Sequence, residues 1–278
     1  VYICQIMRDI KINGAKNNLL DTGLVSQKLI DLATEEGFKI DSTLSNYLFI
    51  FSDPFYIRSY LNSLSLAFTS TILCLVIGYP IAFYVAKSQA NIRIILLVLL
   101  IIPFWTSFLL RVYAWKVLLQ GSGIINSILI HLGFITEPIS MLHNHYAVIL
   151  GVVYTYLPFM ILPLYGYLVK FDLNLIDAAN DLGAKPVNTF LKVILPLSLP
   201  GIIAGSMLVF IPVVGEFVIP EMLGGSDKLY FGKIIWDEFF VNRDWPVASA
   251  LAMSGIVILV FPIVIFQLMY AKYNFKNE

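Results

Sequence analysis

The sequence predicts an all-α polytopic membrane protein with five transmembrane helices. Three observations predict it. Hydrophobic residues make up 59% of the 278 and charged residues 13%, a balance too apolar for a soluble domain. Five predominantly apolar runs are each long enough to cross roughly 30 Å of hydrocarbon. Prolines recur inside those runs, at Pro80, Pro103, Pro158, Pro163, Pro212 and Pro262. A proline in a span frees carbonyls that neighbours or water must satisfy, which suits bent helices lining a path. At any single proline, a plain packing kink is the competing reading. The 18 Lys+Arg balance the 18 Asp+Glu, so no net basic field points to nucleic acid. Only Cys4 and Cys74 occur, and Cys74 lies inside an apolar run, so neither a structural disulfide nor a Cys-based metal site is expected.

Residues 1–58 are mixed and polar, with no run long enough to cross a bilayer. Leu24 to Ala33 is weakly amphipathic, and Asp53-Pro54 reads as a turn before the first long apolar element. The transmembrane domain is placed at 59–272, with 273–278 as a tail. Its five runs are Tyr60–Ala86, Ile92–Leu118, Ala147–Val169, Leu197–Ile219 and Val247–Ala271.

Charge orients them. Lys87 and Arg93 flank the loop after the first run. Lys170, Lys185 and Lys192 lie between the third and fourth, and Lys272 and Lys276 follow the fifth. The loop from Gln120 to Tyr146 has no Lys or Arg. In the loop from Gly215 to Pro246, Lys228, Lys233 and Arg243 are outnumbered by Glu216, Glu221, Asp227, Asp237, Glu238 and Asp244. The positive-inside rule therefore puts the loop around Asp177 and the C-terminus in the cytoplasm. Residues 1–58 then lie outside, and a polar leader of that size needs a preceding span to carry it. The expectation is a chain truncated at its N-terminus.

The cytoplasmic loop from about 172 to 196 reads as a short helix, a break and a second short helix. Asp172 or Asn174 can cap the first helix. Gly183 suits the left-handed residue that ends it, and Pro186 suits the first turn of the next. Ala178 and Ala179 leave a shallow surface. Asp181 and Lys185 stand four apart, a spacing that pairs on a continuous helix and that Gly183 works against. An ordinary capped loop helix is the plain alternative to a docking surface.

The spacing Asp177-Ala178-Ala179, Gly183, then Val193-Ile194-Leu195-Pro196 resembles the "EAA" loop of ABC importer permeases, with Asp for Glu at 177 and Val for Ile at 193. The resemblance runs from about Asn46 to Asn274. Ile101–Trp115 is similar to the second-span signature of polyamine importer permeases. Val214–Gly225 and Phe239–Ala250 look closest to the putrescine branch of that spermidine/putrescine family. The resemblance implies six spans with the N-terminus inside and a bacterial inner-membrane location. It also implies a second homologous permease, two copies of a cytoplasmic ATPase that binds ATP and Mg, and an extracytoplasmic polyamine-binding protein. It implies an ATPase-coupling role for Asp177, Ala178, Ala179, Gly183, Leu195 and Pro196. No cofactor is expected in this chain.

A path for a flexible polycation needs aromatic faces and some negative potential. Glu216 and Glu221, at the outer end of the fourth run, are the gate candidates, unless they sit at headgroup level where a charge costs little. Trp105, Tyr113, Tyr154 and Tyr156 are aromatic candidates, with an interfacial belt as the alternative for each. Arg111 would repel such a cargo, and is expected to snorkel outward or to pair with Glu216 or Asp244. Arg243-Asp244-Trp245-Pro246 is either a docking or gate element or a turn that starts a helix. His131, His143 and His145 match no zinc spacing and read as loop residues. There is no phosphate-cradling Gly-rich loop and no nucleophile–base pair, so the chain reads as a transport subunit and not an enzyme. The alternatives are a permease of the same architecture for another small solute, an ion-coupled secondary carrier, and an inactive scaffold.

Overall fold

The computed structural model describes residues 45–171, 174–225 and 228–274. The expected N-terminal segment up to residue 44, Asp172, Asp227 and the tail beyond Asn274 lie outside the described residues. All regular structure among the described residues is helical. In chain order the helices are α1 (Ser45–Ser52), α2 (Pro54–Lys87), α3 (Ala90–Ile101), α4 (Phe108–Leu119), α5 (Ile124–His131), α6 (His145–Leu168), α7 (Asn174–Asp181), α8 (Pro186–Thr189), α9 (Leu195–Val214), α10 (Val218–Leu223), α11 (Phe231–Trp236) and α12 (Trp245–Asn274). A 3₁₀ turn (Ile102–Trp105) follows α3, and π turns follow α8 (Phe190–Ile194) and α11 (Asp237–Val241).

Pro54–Lys87, His145–Leu168 and Pro186–Val214 are long and apolar enough to cross a membrane, and α12 is apolar over Trp245–Val260. The expected single span at Ile92–Leu118 is instead a pair, Ala90–Trp105 and Phe108–His131, bent by 89°. The cause is local. Pro103 sits in the 3₁₀ turn, and Thr106 and Ser107 follow in extended conformation. The Thr106 hydroxyl donates to the Pro103 carbonyl at 2.7 Å, which satisfies an acceptor left free by the break. The fourth run also differs from expectation: its helix ends at Val214, and Ile219 belongs to the separate α10.

The chain divides into two units, residues 58–234 and the remainder. In the larger unit α6 is the central element. Its Val148, Val152, Met160, Ile161 and Leu164 are buried, as are Leu66, Ala67 and Cys74 of α2 and Val209 and Val213 of α9. Lipid is as apolar as leucine, so helix association here relies on close packing, and small residues supply it. A Cβ on Gly205 of α9 would stand 2.9 Å from Met160 Sδ and 3.0 Å from the Met160 carbonyl. On Gly151 of α6 it would stand 2.6 Å from Leu223 and 2.9 Å from Ile219 of α10. Phe68, Val76, Tyr84, Ile94 and Ile95 are exposed on α2 and α3, as lipid-facing residues are.

In the smaller unit α1 packs against α12. Glu238 receives the Tyr56 hydroxyl on Oε1 and the Asn242 amide on Oε2, both at 3.0 Å. Arg243 takes a left-handed backbone (φ 54°). Asp244 Oδ1 then accepts from the Val247 amide at 3.2 Å, and Trp245 Nε1 donates to the Phe239 carbonyl at 3.1 Å. Arg243–Pro246 is thus the turn that starts α12.

Candidate functional site

The loop between α6 and α9 folds as its residues dictate. α7 covers Asn174–Asp181, with Asn174 at its first position. Gly183 follows in the left-handed region (φ 76°), and no atom lies within 4 Å of the place its Cβ would occupy. The Ala184 amide donates back to the Ala179 carbonyl at 3.0 Å, the six-to-one bond of a Schellman ending. Pro186 opens α8, and the chain continues through the π turn into α9 with Leu195 and Pro196 in its first turn. Asp177 and Ala178 are exposed and Ala179 is half-buried. Asp181 and Lys185 are both exposed and form no ion pair. Around the break the apolar side chains of Leu182, Val187 and Leu191 are 88%, 67% and 52% exposed. An elbow this polar has no lipid to hide such residues, and an exposed apolar knob on it is a surface fit for a partner.

Two contacts absent from the sequence reading tie the elbow to the helices behind it. The Tyr79 ring of α2 meets Phe190 of the π turn edge-on, 5.4 Å between centroids. Its hydroxyl hydrogen-bonds Ser198 Oγ of α9 at 2.9 Å. Tyr79 stood in a span with nothing local to mark it. Arg93 of α3 donates through Nη2 to the carbonyls of Ala86 (3.0 Å) and Ser88 (2.9 Å), closing the end of α2. A basic residue just past a helix end is a signal for this role.

The candidate path and gate residues are less of one piece. Glu216 is 8% exposed. Its Oε1 accepts from the amides of Val218 (3.0 Å) and Ile219 (3.4 Å), the free donors of the first turn of α10. Its Oε2 accepts from the Tyr156 hydroxyl of α6 at 2.6 Å. Both oxygens are therefore held by the protein. Glu221 is exposed and pairs with Lys233. Trp105 is 86% exposed at the apex of the bend, Tyr113 is exposed on α4, and Tyr154 lies edge-on to Trp115 at 5.4 Å. Of these candidates, only Tyr156 and Glu216 are brought together among the described residues.

Arg111, expected to snorkel outward or to pair with an acid, does not pair with Glu216. Its guanidinium lies 4.7 Å from the Phe104 centroid and 6.0 Å from that of Phe108. Both oxygens of Glu216 are held by Tyr156 and the α10 amides, which removes that expected partner. His143 Nδ1 meets the Gly224 carbonyl at 3.2 Å and His145 Nδ1 meets the Tyr230 hydroxyl at 2.8 Å. Among the described residues no group of three His, Cys, Asp or Glu could hold a metal ion. Asn126, also missed, is buried. Its amide bridges to Ile139 in both directions, 2.9 and 3.0 Å, and fixes the loop between α5 and α6.

Residues 55–274 match the family described as binding-protein-dependent transport system inner membrane component. The chain is 45% identical over 236 residues to the spermidine/putrescine transport system permease protein PotB of Haemophilus influenzae, covering 85% of this chain and 82% of the relative. It is 42% identical over 228 residues to PotB of Escherichia coli, covering 80% and 82%. It is 30% identical to the inner membrane ABC transporter permease protein YdcU of Escherichia coli, covering 78% and 72%. Among solved structures it is similar to a chain of a bacterial ABC transporter that imports the acidic polysaccharide alginate. There the TM-score is 0.65 at 14% identity, covering 96% of this chain and 99% of the other. It is also similar to a chain of the methionine ABC transporter MetNI in an inward facing conformation. That TM-score is 0.55 at 19% identity, covering 77% and 94%. At such identities the two structures speak for the fold alone.

Proposed function

This chain belongs to the family of binding-protein-dependent transport system inner membrane components, and from that premise we propose that it is a permease subunit of an ATP-driven importer carrying polyamines, putrescine first and spermidine second, into the cytoplasm. It is a multi-pass membrane protein and a transport component, not an enzyme. The polyamine cargo is supported by the relatives named for spermidine and putrescine together. Putrescine is favoured by the sequence likeness around Val214–Gly225 and Phe239–Ala250. The complex we propose adds a second permease, two ATPase copies that bind ATP and Mg, and an extracytoplasmic polyamine-binding protein. The elbow and the C-terminus face the cytoplasm.

The observation that carries the coupling role is the exposed apolar knob, Leu182 and Val187, on a two-helix elbow whose turn is fixed by Gly183. A rigid noncovalent contact there transmits ATPase closure as a lever. Ala178 and Ala179 admit a close-fitting cleft, and Asp177 offers a charge to a basic group on the partner. Leu195 and Pro196 carry the movement into α9, and Tyr79 shares it with α2. In the path, Trp105 offers the most exposed aromatic face and Tyr113 a second.

The test is co-purification. Leu182→Asp and Val187→Asp should release the ATPase from solubilised membranes while the second permease is retained. An ATPase that stays bound through both substitutions refutes the docking role of the elbow.

A further inference from the structure

Among the described residues of its own unit, Arg111 has no carboxylate beside it. Among the described residues its side chain has no ion pair and no hydrogen bond, and its Nε is buried without an acceptor. Only the rings of Phe104 and Phe108 lie against it. A guanidinium does not shed its proton, and this half-buried one, with its Nε unsatisfied among apolar neighbours, would be stabilised by an anion beside it. The place for that anion is next to it. An open groove of about 470 Å³ runs along one face of α4, lined by Leu110, Ala114, Trp115 and Leu118, with Tyr154 of α6 across from them and Arg111 among them. Apart from the guanidinium the walls are mainly apolar and aromatic. Leu110 in its wall and the neighbouring Leu109 are exposed, so the groove opens from an apolar surface.

We propose that this groove binds an anionic phospholipid, its phosphate on the Arg111 guanidinium and an acyl chain along Leu110, Ala114 and Leu118. The chemistry selects this occupant. A planar guanidinium takes a phosphate through two parallel hydrogen bonds. The apolar length beyond it fits a hydrocarbon chain, whereas a carboxylate from another subunit would fill only the charged end. A polyamine cargo is repelled by Arg111, so the groove is separate from the path. The Phe104 and Phe108 rings lie on either side of the bend at Thr106–Ser107, and a lipid bound to Arg111 would brace that bend.

The experiment is native mass spectrometry of the chain purified with its partner subunits, incubated with phosphatidylglycerol or with diacylglycerol. Arg111→Gln should lower retained phosphatidylglycerol about tenfold and leave retained diacylglycerol unchanged. Ala114→Trp, which fills the groove and keeps the guanidinium, should lower both. Equal phosphatidylglycerol retention by wild type and Arg111→Gln overturns the proposal. So does release of the second permease by Arg111→Gln with lipid retention intact, which would assign the guanidinium to a carboxylate of that subunit. If Arg111→Gln fails to assemble, Ala114→Trp decides alone, and unchanged retention in that variant overturns the proposal.

Discussion

Replacing Glu216 separates a structural carboxylate from a cargo-binding one. Its Oε1 serves the first-turn amides of α10, and its Oε2 takes the Tyr156 hydroxyl at 2.6 Å. Removing a helix-start acceptor costs about 1 kcal/mol. Losing an interhelical hydrogen bond inside a membrane costs about 0.6–1.7 kcal/mol, with a charged acceptor at the upper end. Glu216→Ala should therefore destabilise the fold by about 2 kcal/mol, roughly thirtyfold in the folding equilibrium. Tyr156→Phe should cost about 1 kcal/mol on its own. Because the two share one bond, the double variant should fall short of the sum by about 1 kcal/mol. Reversible unfolding of the purified chain in mixed micelles reads all three. Additive effects within a few tenths of a kcal/mol, with unchanged stability of Glu216→Ala and abolished uptake, would refute the clasp and return Glu216 to the path.

Gly183→Val should lose ATP-driven uptake while the chain still reaches the membrane. A non-glycine residue at φ 76° costs about 1–2 kcal/mol, and nothing else crowds the site. Gly183→Asn should keep most uptake, since asparagine tolerates that backbone. Gly205→Leu should lower the yield of folded chain by forcing α9 away from Met160 of α6, at about 1–3 kcal/mol, read by size-exclusion of the solubilised protein. Arg243→Gly should stabilise the start of α12 by about 1 kcal/mol by relieving its left-handed backbone, read as a higher unfolding midpoint.

The parts legible in the sequence were those decided locally. Gly183 and Pro186 punctuate the elbow because one needs a left-handed turn and the other a helix start, and both sit where those needs place them. The runs Tyr60–Ala86 and Ala147–Val169 followed from apolar length, which a membrane rewards directly, although the first helix begins six residues earlier, at Pro54. The bend after Trp105 did not, because hydropathy carries no direction. Its signal was present in Pro103 followed by the polar pair Thr106-Ser107, and an average over the run hid it. Glu216 was noticed as an unusual charge, yet its partners Tyr156 and Ile219 come from other elements. Arg111 was expected to snorkel outward or to meet an acid, and its contact with the Phe104 ring across the break had no mark in the sequence. Tyr79 acts through Ser198, far along the chain, and Asn126 through a loop residue 13 positions on, and neither has a local mark.

The most direct test of the importer account is uptake of labelled putrescine into vesicles holding this chain with its partner permease, ATPase and binding protein. Wild type should accumulate putrescine only with ATP, and replacing Ala178 or Gly183 by arginine should abolish the accumulation while the permeases stay assembled. Accumulation that persists through both substitutions, or that follows a proton gradient without ATP, would contradict the account and favour an ion-coupled carrier.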